Sequence, residues 1–337
     1  MTAQPEETVL LIEAETNGVP RMSWCFPSIG DANIGVLAAR AQLTGGNPLS
    51  GPIFTWFRWK STWYYALARD RRSEDDVVDI SVPRFAVVIG SSLFDPERYC
   101  AMLEVMMRAF NEEGSPIALL QRVLTIATKG SASAAGGPDF VCSKFHPDTA
   151  KLACAFSRMI KLLGAEGTAA VWAAVLLRMR VVVHAPDVAA LLDAIRCIPL
   201  LVTHRSVWER LRPLCALETA QLDELSSVAG YISGFTDSKV AGRPELYDVF
   251  VDAQSGELKL GEKAAVLQLP SSLVGEVKDA LQKGAASTDG GAKPLVDALA
   301  SKTAEMVKLA ANAPTANAEW AEFLAQLQQA EAVGASA

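Results

Sequence analysis

Histidine is nearly absent from these 337 residues: the three present, His146, His184 and His204, lie far apart. Their spacing supports neither a histidine-based metal site nor a nucleophile–base relay. Also missing are the phosphate loop GxxxxGK[ST], the HExxH zinc motif, the GxSxG elbow and the EF-hand loop. With those motifs absent, no catalytic side chain, no cofactor and no metal is expected. Six cysteines, Cys25, Cys100, Cys142, Cys154, Cys197 and Cys215, form no CxxC pair and mostly sit among apolar neighbours. They read as reduced core residues rather than a disulfide framework or a zinc site.

Long apolar runs are missing too. The longest uncharged one spans residues 169–177, about half of the ~18 residues that cross a bilayer. The N-terminus, MTAQPEETVLLIEAETNG, is acidic where a secretory leader needs positive charge. A soluble, intracellular chain is expected. Basic charge is thin: 31 Lys and Arg against 38 Asp and Glu give a net charge of -7. Without a concentrated basic surface, no nucleic-acid partner is expected.

What is there is ample core material, 50% hydrophobic, in a chain long enough for two lobes. The first ~128 residues predict the order ββαβββαα. The strands are TVLLI (8–12), RMSWCF (21–26), FTWFRW (54–59), TWYYAL (62–67) and RFAVVI (84–89). Asp31 is the expected cap of the first helix, which runs to about Leu43. Asp95-Pro96 and Ser115-Pro116 open the other two, and Gly114 closes the first of that pair. Residues 129–147, KGSASAAGGPDFVCSKFHP, are rich in Gly, Ser and Ala without a period and read as a linker. Beyond it the pattern predicts helices over 148–163 and 168–179 and a buried strand at RVVVH (180–184). A helix capped by Asp187 and an irregular or helical piece around Trp208–Leu211 follow. After a further strand at 255–260 the chain turns Ala-rich and helical.

Two regions are candidates for function. GYISGFTDSKVAGRPELYDVFVD (230–252) gathers three glycines and three aspartates. Asp237, Asp248 and Asp252 have the oxygen ligands that magnesium prefers. Yet VFV between Asp248 and Asp252 has the make-up of a short buried strand, with acidic ends that satisfy turn amides or meet solvent. Gly230 and Gly234 bracket a strand and do not open a helix, as a dinucleotide site requires. The framework reading accounts for more. The other candidate is aromatic: Trp24, Phe26 and Trp59 belong to strands rich in Trp. Strict alternation would place Met22, Trp24 and Phe26 on one face. That face either packs beneath helices or serves as a partner-binding hot spot.

Taken together, these segments resemble a DENN domain. WCFPS (24–28) resembles the second strand of the family's longin-like N-terminal module. LLRMRVVVH (176–184) resembles its central strand, and SVWERLRP (206–213), with Trp208, its tryptophan segment. The stretch from Gly230 matches the family signature through Tyr231, Gly234, Pro244, Asp248 and Asp252. The likeness covers roughly residues 8–262 and is strongest to the small members without flanking domains. It implies an α/β, bilobal DENN fold: a longin-like lobe at 1–128, a linker at 129–147, a core α/β lobe at 148–262, and a helical downstream part at 263–337. It also implies a cytoplasmic protein peripheral to endosomes that binds Rab GTPases, held between the lobes, and promotes GDP release in vesicle traffic. A further implied partner is the set of coiled-coil subunits of the Commander recycling complex. The other role the likeness allows is a structural subunit on that scaffold without exchange activity.

Overall fold

Alternation of β-branched and aromatic residues in the first 90 residues folds into a five-stranded antiparallel sheet. The structure is a computed structural model that describes residues 7–15, 18–28, 33–44, 48–71, 83–261, 269–285, 292–312 and 319–335. The chain forms two compact units, Met1–Lys151 and Leu152–Ala337. In the first, strands β1 (Thr8–Ala14), β2 (Pro20–Phe26), β3 (Ile53–Trp59), β4 (Thr62–Asp70) and β5 (Arg84–Ser91) take the order β2-β1-β5-β4-β3. Helices α1 (Ile34–Arg40), α2 (Pro96–Glu113) and α3 (Pro116–Lys129) complete the expected ββαβββαα order.

The caps follow from sequence chemistry. The Asp95 carboxylate accepts from the Arg98 amide at 3.1 Å and the Ser115 hydroxyl from the Ile117 amide at 3.3 Å, each with proline at the first helical position. Gly114 and Gly130 end α2 and α3 at φ +65° and +69°, which glycine adopts without a Cβ clash. For α1 the capping group is Asn33, whose side chain accepts from Val36 at 3.2 Å. The expected cap, Asp31, lies outside the described residues.

One face of the first sheet carries α2. Tyr65 stacks on Tyr99 at 4.3 Å and Phe85 meets Phe110 at 5.1 Å. The other face holds α1, whose Arg40 lies over Phe57 and Trp59 at 5.5 and 5.0 Å. Trp56, Trp63 and Phe94 form a buried triad at the β3–β4 hairpin, with centroids 4.8–6.0 Å apart. Much of the tryptophan content is therefore core.

Residues 129–147 are part of the first unit and not a free linker. Here β6 (Ser131–Ala132) pairs with β7 (Phe140–Val141), and the Cys142 amide donates to the Gly130 carbonyl at 2.8 Å. Arg108 of α2 donates to the Pro138 carbonyl at 2.6 Å. Small residues permit the tight turn, and buried Phe140, stacked on Phe145 at 5.5 Å, anchors it.

In the second unit β8 (Val181–His184), β9 (Leu211–Cys215), β10 (Ile232–Phe235), β11 (Val249–Asp252) and β12 (Leu258–Leu260) take the order β12-β11-β8-β10-β9. All pairs are parallel except β11–β12. β9 contains Pro213, which cannot donate to a ladder, and its place at the sheet edge makes that harmless. The same proline hides the strand from pattern reading, which predicted irregular or helical chain around Trp208–Leu211.

A short helix α4 (Pro147–Ala150) closes the first unit; among the described residues the helices of the second are α5 (Phe156–Leu176), α6 (Val188–Cys197), α7 (Thr219–Ser226), α8 (Ser271–Ala285), α9 (Ala292–Asn312) and α10 (Ala321–Ala335). The two helices predicted over 148–163 and 168–179 meet in α5, interrupted by Gly164 at φ +67°, ψ -176°. α5 is long and apolar enough to cross a membrane by composition, yet more than half of its apolar stretch is buried in the fold. Its Trp172 donates to the Thr303 hydroxyl at 2.9 Å and stacks on Phe323 at 6.0 Å, so α9 and α10 complete the core around it.

Candidate functional site

The stretch from Gly230 to Asp252 is built into the centre of the second sheet. Gly230 has φ +59°, and a Cβ there would lie 2.2 Å from the Arg178 carbonyl oxygen. Gly234 is needed for a different reason. β9 carries an extra residue opposite it, since the register jumps from Ser233–Arg212 to Phe235–Cys215. The bulge pushes the Pro213 carbonyl oxygen to 2.1 Å from where a Cβ at Gly234 would sit, so only glycine fits.

Tyr231 is buried, and its hydroxyl donates to the Leu246 carbonyl. Burial pushes the phenol up to about 12, with Asp248 adding to the rise and Arg180 opposing it. Leu246 is the last residue of the 3-10 turn Pro244–Leu246, which Pro244 opens with its preset φ. Around Tyr231 gather Val182, Phe235, Val240, Tyr247 and Phe250 in one buried cluster.

The three aspartates do not converge. Asp248 is 5% exposed and takes the Arg180 backbone amide and Nε on one oxygen, at 2.8 and 3.2 Å, and Arg180 Nη2 on the other, at 2.8 Å. This pairing raises the Arg180 guanidinium above its usual value. Asp252 caps the turn after β11 by accepting from Gln254 and Ser255, both at 2.9 Å, and its other oxygen meets His184 Nδ1 at 3.1 Å. Partial burial raises the Asp252 carboxyl, but the Ser255 amide, His184 and the Gln254 amide outweigh it, leaving a net depression. Asp237 caps the earlier 3-10 turn Ser238–Gly242, after β10, by accepting from the Lys239 amide at 2.9 Å. Among the described residues no group of three His, Cys, Asp or Glu converges on a metal position. The magnesium alternative is thus without a ligand set there, and the aspartates serve the backbone.

Trp208 sits half-buried in the 3-10 turn Trp208–Arg210 that leads into β9. Beside it Arg210 donates to the Gly230 and Val175 carbonyls at 3.0 and 3.2 Å, tying the start of β9 to the signature glycine and the end of α5. Burial lowers the Arg210 guanidinium to about 10, with Arg205 and Arg178 adding to the effect. Sequence reasoning singled out neither Arg210 nor the Arg180–Asp248 pairing. The visible signal for the latter was the basic residue just ahead of the central strand.

The aromatic candidates separate. A bulge in β2 breaks the alternation: Leu11 pairs with Trp24, but the next residue, Ile12, pairs with Met22. Consecutive residues of β1 point to opposite faces, so Trp24 and Phe26 share the α2 face while Met22 lies on the other. The expectation of a single Met22–Trp24–Phe26 face is corrected by this one extra residue. Trp24 and Phe26 stack at 6.4 Å on the edge strand, Trp24 half-buried and Phe26 37% exposed. Trp59 stands on the opposite edge strand and the opposite face, beneath Arg40. It does not belong to the Trp24–Phe26 patch.

A cavity of about 770 Å³ in the second unit is lined by Leu163, Ala170, Ala174, Met179, Val249 and Val274, with Glu166 and Lys278 also on its wall. Among the described residues its lining contains no histidine or cysteine.

Comparison with known proteins agrees with this geometry. The family model for DENN domain-containing protein 11 matches residues 127–262, which include the whole of the second sheet. DENN domain-containing protein 10 of Danio rerio is 30% identical over 298 residues, 88% of this chain and 84% of that protein. The Homo sapiens protein of that name is 29% identical over 296 residues, with 88% and 82% covered. That of Dictyostelium discoideum is 28% identical over 275 residues, with 77% and 74% covered. Similarity of this extent runs through both units, and the chain belongs to the DENN domain-containing protein family.

Proposed function

We propose that this chain is a regulator of Rab GTPases in endosomal and vesicle traffic, acting as a guanine nucleotide exchange factor. The observation that carries this reading is family membership along most of the chain's length. In support, the aspartates of the signature are engaged with backbone amides, Arg180 and His184, as suits a protein that works by binding rather than by chemistry on a substrate. Exchange requires no catalytic side chain. A protein that binds the nucleotide-free GTPase more tightly than the GDP form must, by linkage, weaken GDP binding by the same factor.

In this proposal the first unit is a longin-like module, helices α8–α10 are the downstream part of the DENN fold, and the protein acts at the cytoplasmic face of endosomes. The test is release of fluorescent GDP from a panel of purified Rab proteins. Acceleration on at least one of them, with tighter binding of its nucleotide-free form, is expected. A flat response on every Rab defeats the exchange reading.

A second reading is favoured by the exposed Phe26 and its stack with Trp24 on the edge strand. Here the chain is a non-catalytic subunit docked on the coiled-coil scaffold of Commander, with those two side chains as anchors. Burial of each would contribute about 1.5–3 kcal/mol. Pull-down of the coiled-coil subunits by folded Trp24→Asp protein tests it: undiminished capture eliminates the patch.

A further inference from the structure

We propose that the cavity between α5 and α8 is a binding site for a fatty acid, whose chain lies along the wall from Gly164 to Ala174 and whose carboxylate meets Lys278 and Lys161. The cavity of about 770 Å³ adjoins a second of about 390 Å³, and Gly164, Ala165 and Lys278 line both. Each volume is in the range of small-molecule sites.

The walls define an elongated space. In the larger cavity Gly164, Ala170 and Ala174 of α5 accompany Lys278, Val274 and Ser271 of α8. In the smaller, Ser157, Ile160 and Lys161 accompany Lys278, Leu281 and Gln282. Position along α5 rises as position along α8 falls, so the two helices run antiparallel and the cavities lie end to end, meeting at Lys278. The wall from Gly164 to Ala174 is roughly 15 Å long at the helical rise.

Chemistry differs between the two ends. Away from Lys278 the wall is aliphatic, made by Ala174, Met179, Val249 and Val274, and Glu166 is exposed. Among the described residues neither cavity is lined by an aromatic side chain, so a nucleobase has no ring to stack on. Ser271 is the one hydroxyl group on the larger wall among those residues, and a sugar there would leave most of its own hydroxyls unpaired. An unbranched hydrocarbon chain needs no such partners.

The smaller cavity holds the charge. Lys161 and Lys278 line it beside Ser157 and Gln282, and among the described residues no carboxylate does. Neither lysine is in an ion pair among those residues, and both are exposed, with stems long enough to bring the ammonium groups to a ligand head at the cavity mouth. Two positive charges without a counter-charge select an anionic head. The apolar surface beside them is also incompletely covered. Ile160, Ala165 and Ala170 of α5 are only partly buried, and Leu260 at the rim is 49% exposed. Open apolar surface rimmed by polar groups marks a ligand groove.

The test is calorimetric titration of the delipidated full chain with decanoic, dodecanoic, tetradecanoic and hexadecanoic acids, and with hexadecanol. Saturable one-site binding is expected, tightening about fourfold per added methylene until the cavity is filled and then levelling off. Hexadecanol should bind about fivefold more weakly than hexadecanoic acid. A Cβ at Gly275, on the cavity wall, meets nothing within 4 Å. Gly275→Leu therefore fills the cavity without a backbone clash and removes a glycine from a helix interior, so it should melt no lower than wild type and bind at least about tenfold more weakly. Lys161→Glu/Lys278→Glu should weaken the acids about tenfold and leave hexadecanol unchanged. No saturable binding, tightening without a plateau, wild-type affinity in folded Gly275→Leu, or equal effects of the charge reversal on acid and alcohol overturns the proposal. If Gly275→Leu does not fold, the chain-length series and the charge reversal decide.

Discussion

The stretch from Gly230 to Asp252 and the strand from Pro20 to Phe26 spend their side chains in opposite directions. In the first, Tyr231, Asp248 and Phe250 turn inward, onto Leu246, Arg180 and the buried cluster, and Gly230 and Gly234 lie against close backbone. In the second, an edge strand with a bulge leaves Phe26 exposed and Trp24 half-exposed. The residues that identify this fold are framework, and surface open to a partner lies elsewhere. A motif can therefore be diagnostic of a family while touching nothing outside its own chain.

The comparison breaks most readily at Asp248. Asp248→Ala strips Arg180 of its carboxylate and leaves the Arg180 amide without its acceptor. The expected loss in urea denaturation is about 2–3 kcal/mol, below the 3–5 of a fully buried pair because Arg180 keeps some solvent. A loss under about 0.5 kcal/mol would remove Asp248 from the framework.

Gly234→Ala comes next. The new Cβ meets the Pro213 carbonyl, and moving β9 away should cost about 1–3 kcal/mol. An unchanged melting temperature would mean that β9 shifts freely.

At Asp252 the effect lies in pH dependence. Its carboxyl titrates below the usual aspartate value in the folded chain, near 3.9 when unfolded. A depressed value stabilises the fold above about pH 3.9, and the contribution is lost as pH falls through the folded value. Asp252→Asn should therefore be less stable than wild type near neutrality, with the two curves converging in acid. Parallel curves down to pH 2 would contradict this assignment.

The smallest effect belongs to the edge strand. Phe26→Asp should change stability by no more than about 0.5 kcal/mol, as for other surface substitutions. Its circular dichroism should match wild type. A larger loss would show that Phe26 is structural and would erase the contrast with the signature.

Much of this was legible in sequence. Asp95-Pro96, Ser115-Pro116, Asp187 and Gly114 announced helix boundaries because capping is local chemistry, decided within four residues. Tyr231 and the aspartates were legible as framework because their spacing matched strand ends. Less visible were features set by a second segment of chain. β9 escaped because Pro213 argues against a strand unless the strand is at an edge, and edge position is a tertiary fact. The β2 bulge reversed one face because register depends on the partner strand, and a single extra residue moves the residues beyond it to the other side. Phe140 made the supposed linker part of the first unit, an anchor that Gly- and Ser-rich composition conceals. Trp59 was grouped with Trp24 and Phe26 by residue type, whereas sheet order sets them on opposite edges.

By itself the sequence determined the order of elements in the first unit, most helix ends, the framework role of the signature and the family likeness. All of these rest on short-range periodicity, capping and motif spacing. Only the tertiary structure decided which aromatics meet solvent, why Gly234 must be glycine, and that Arg180 answers Asp248. Those facts depend on contacts between residues dozens of positions apart, and no local pattern records such contacts.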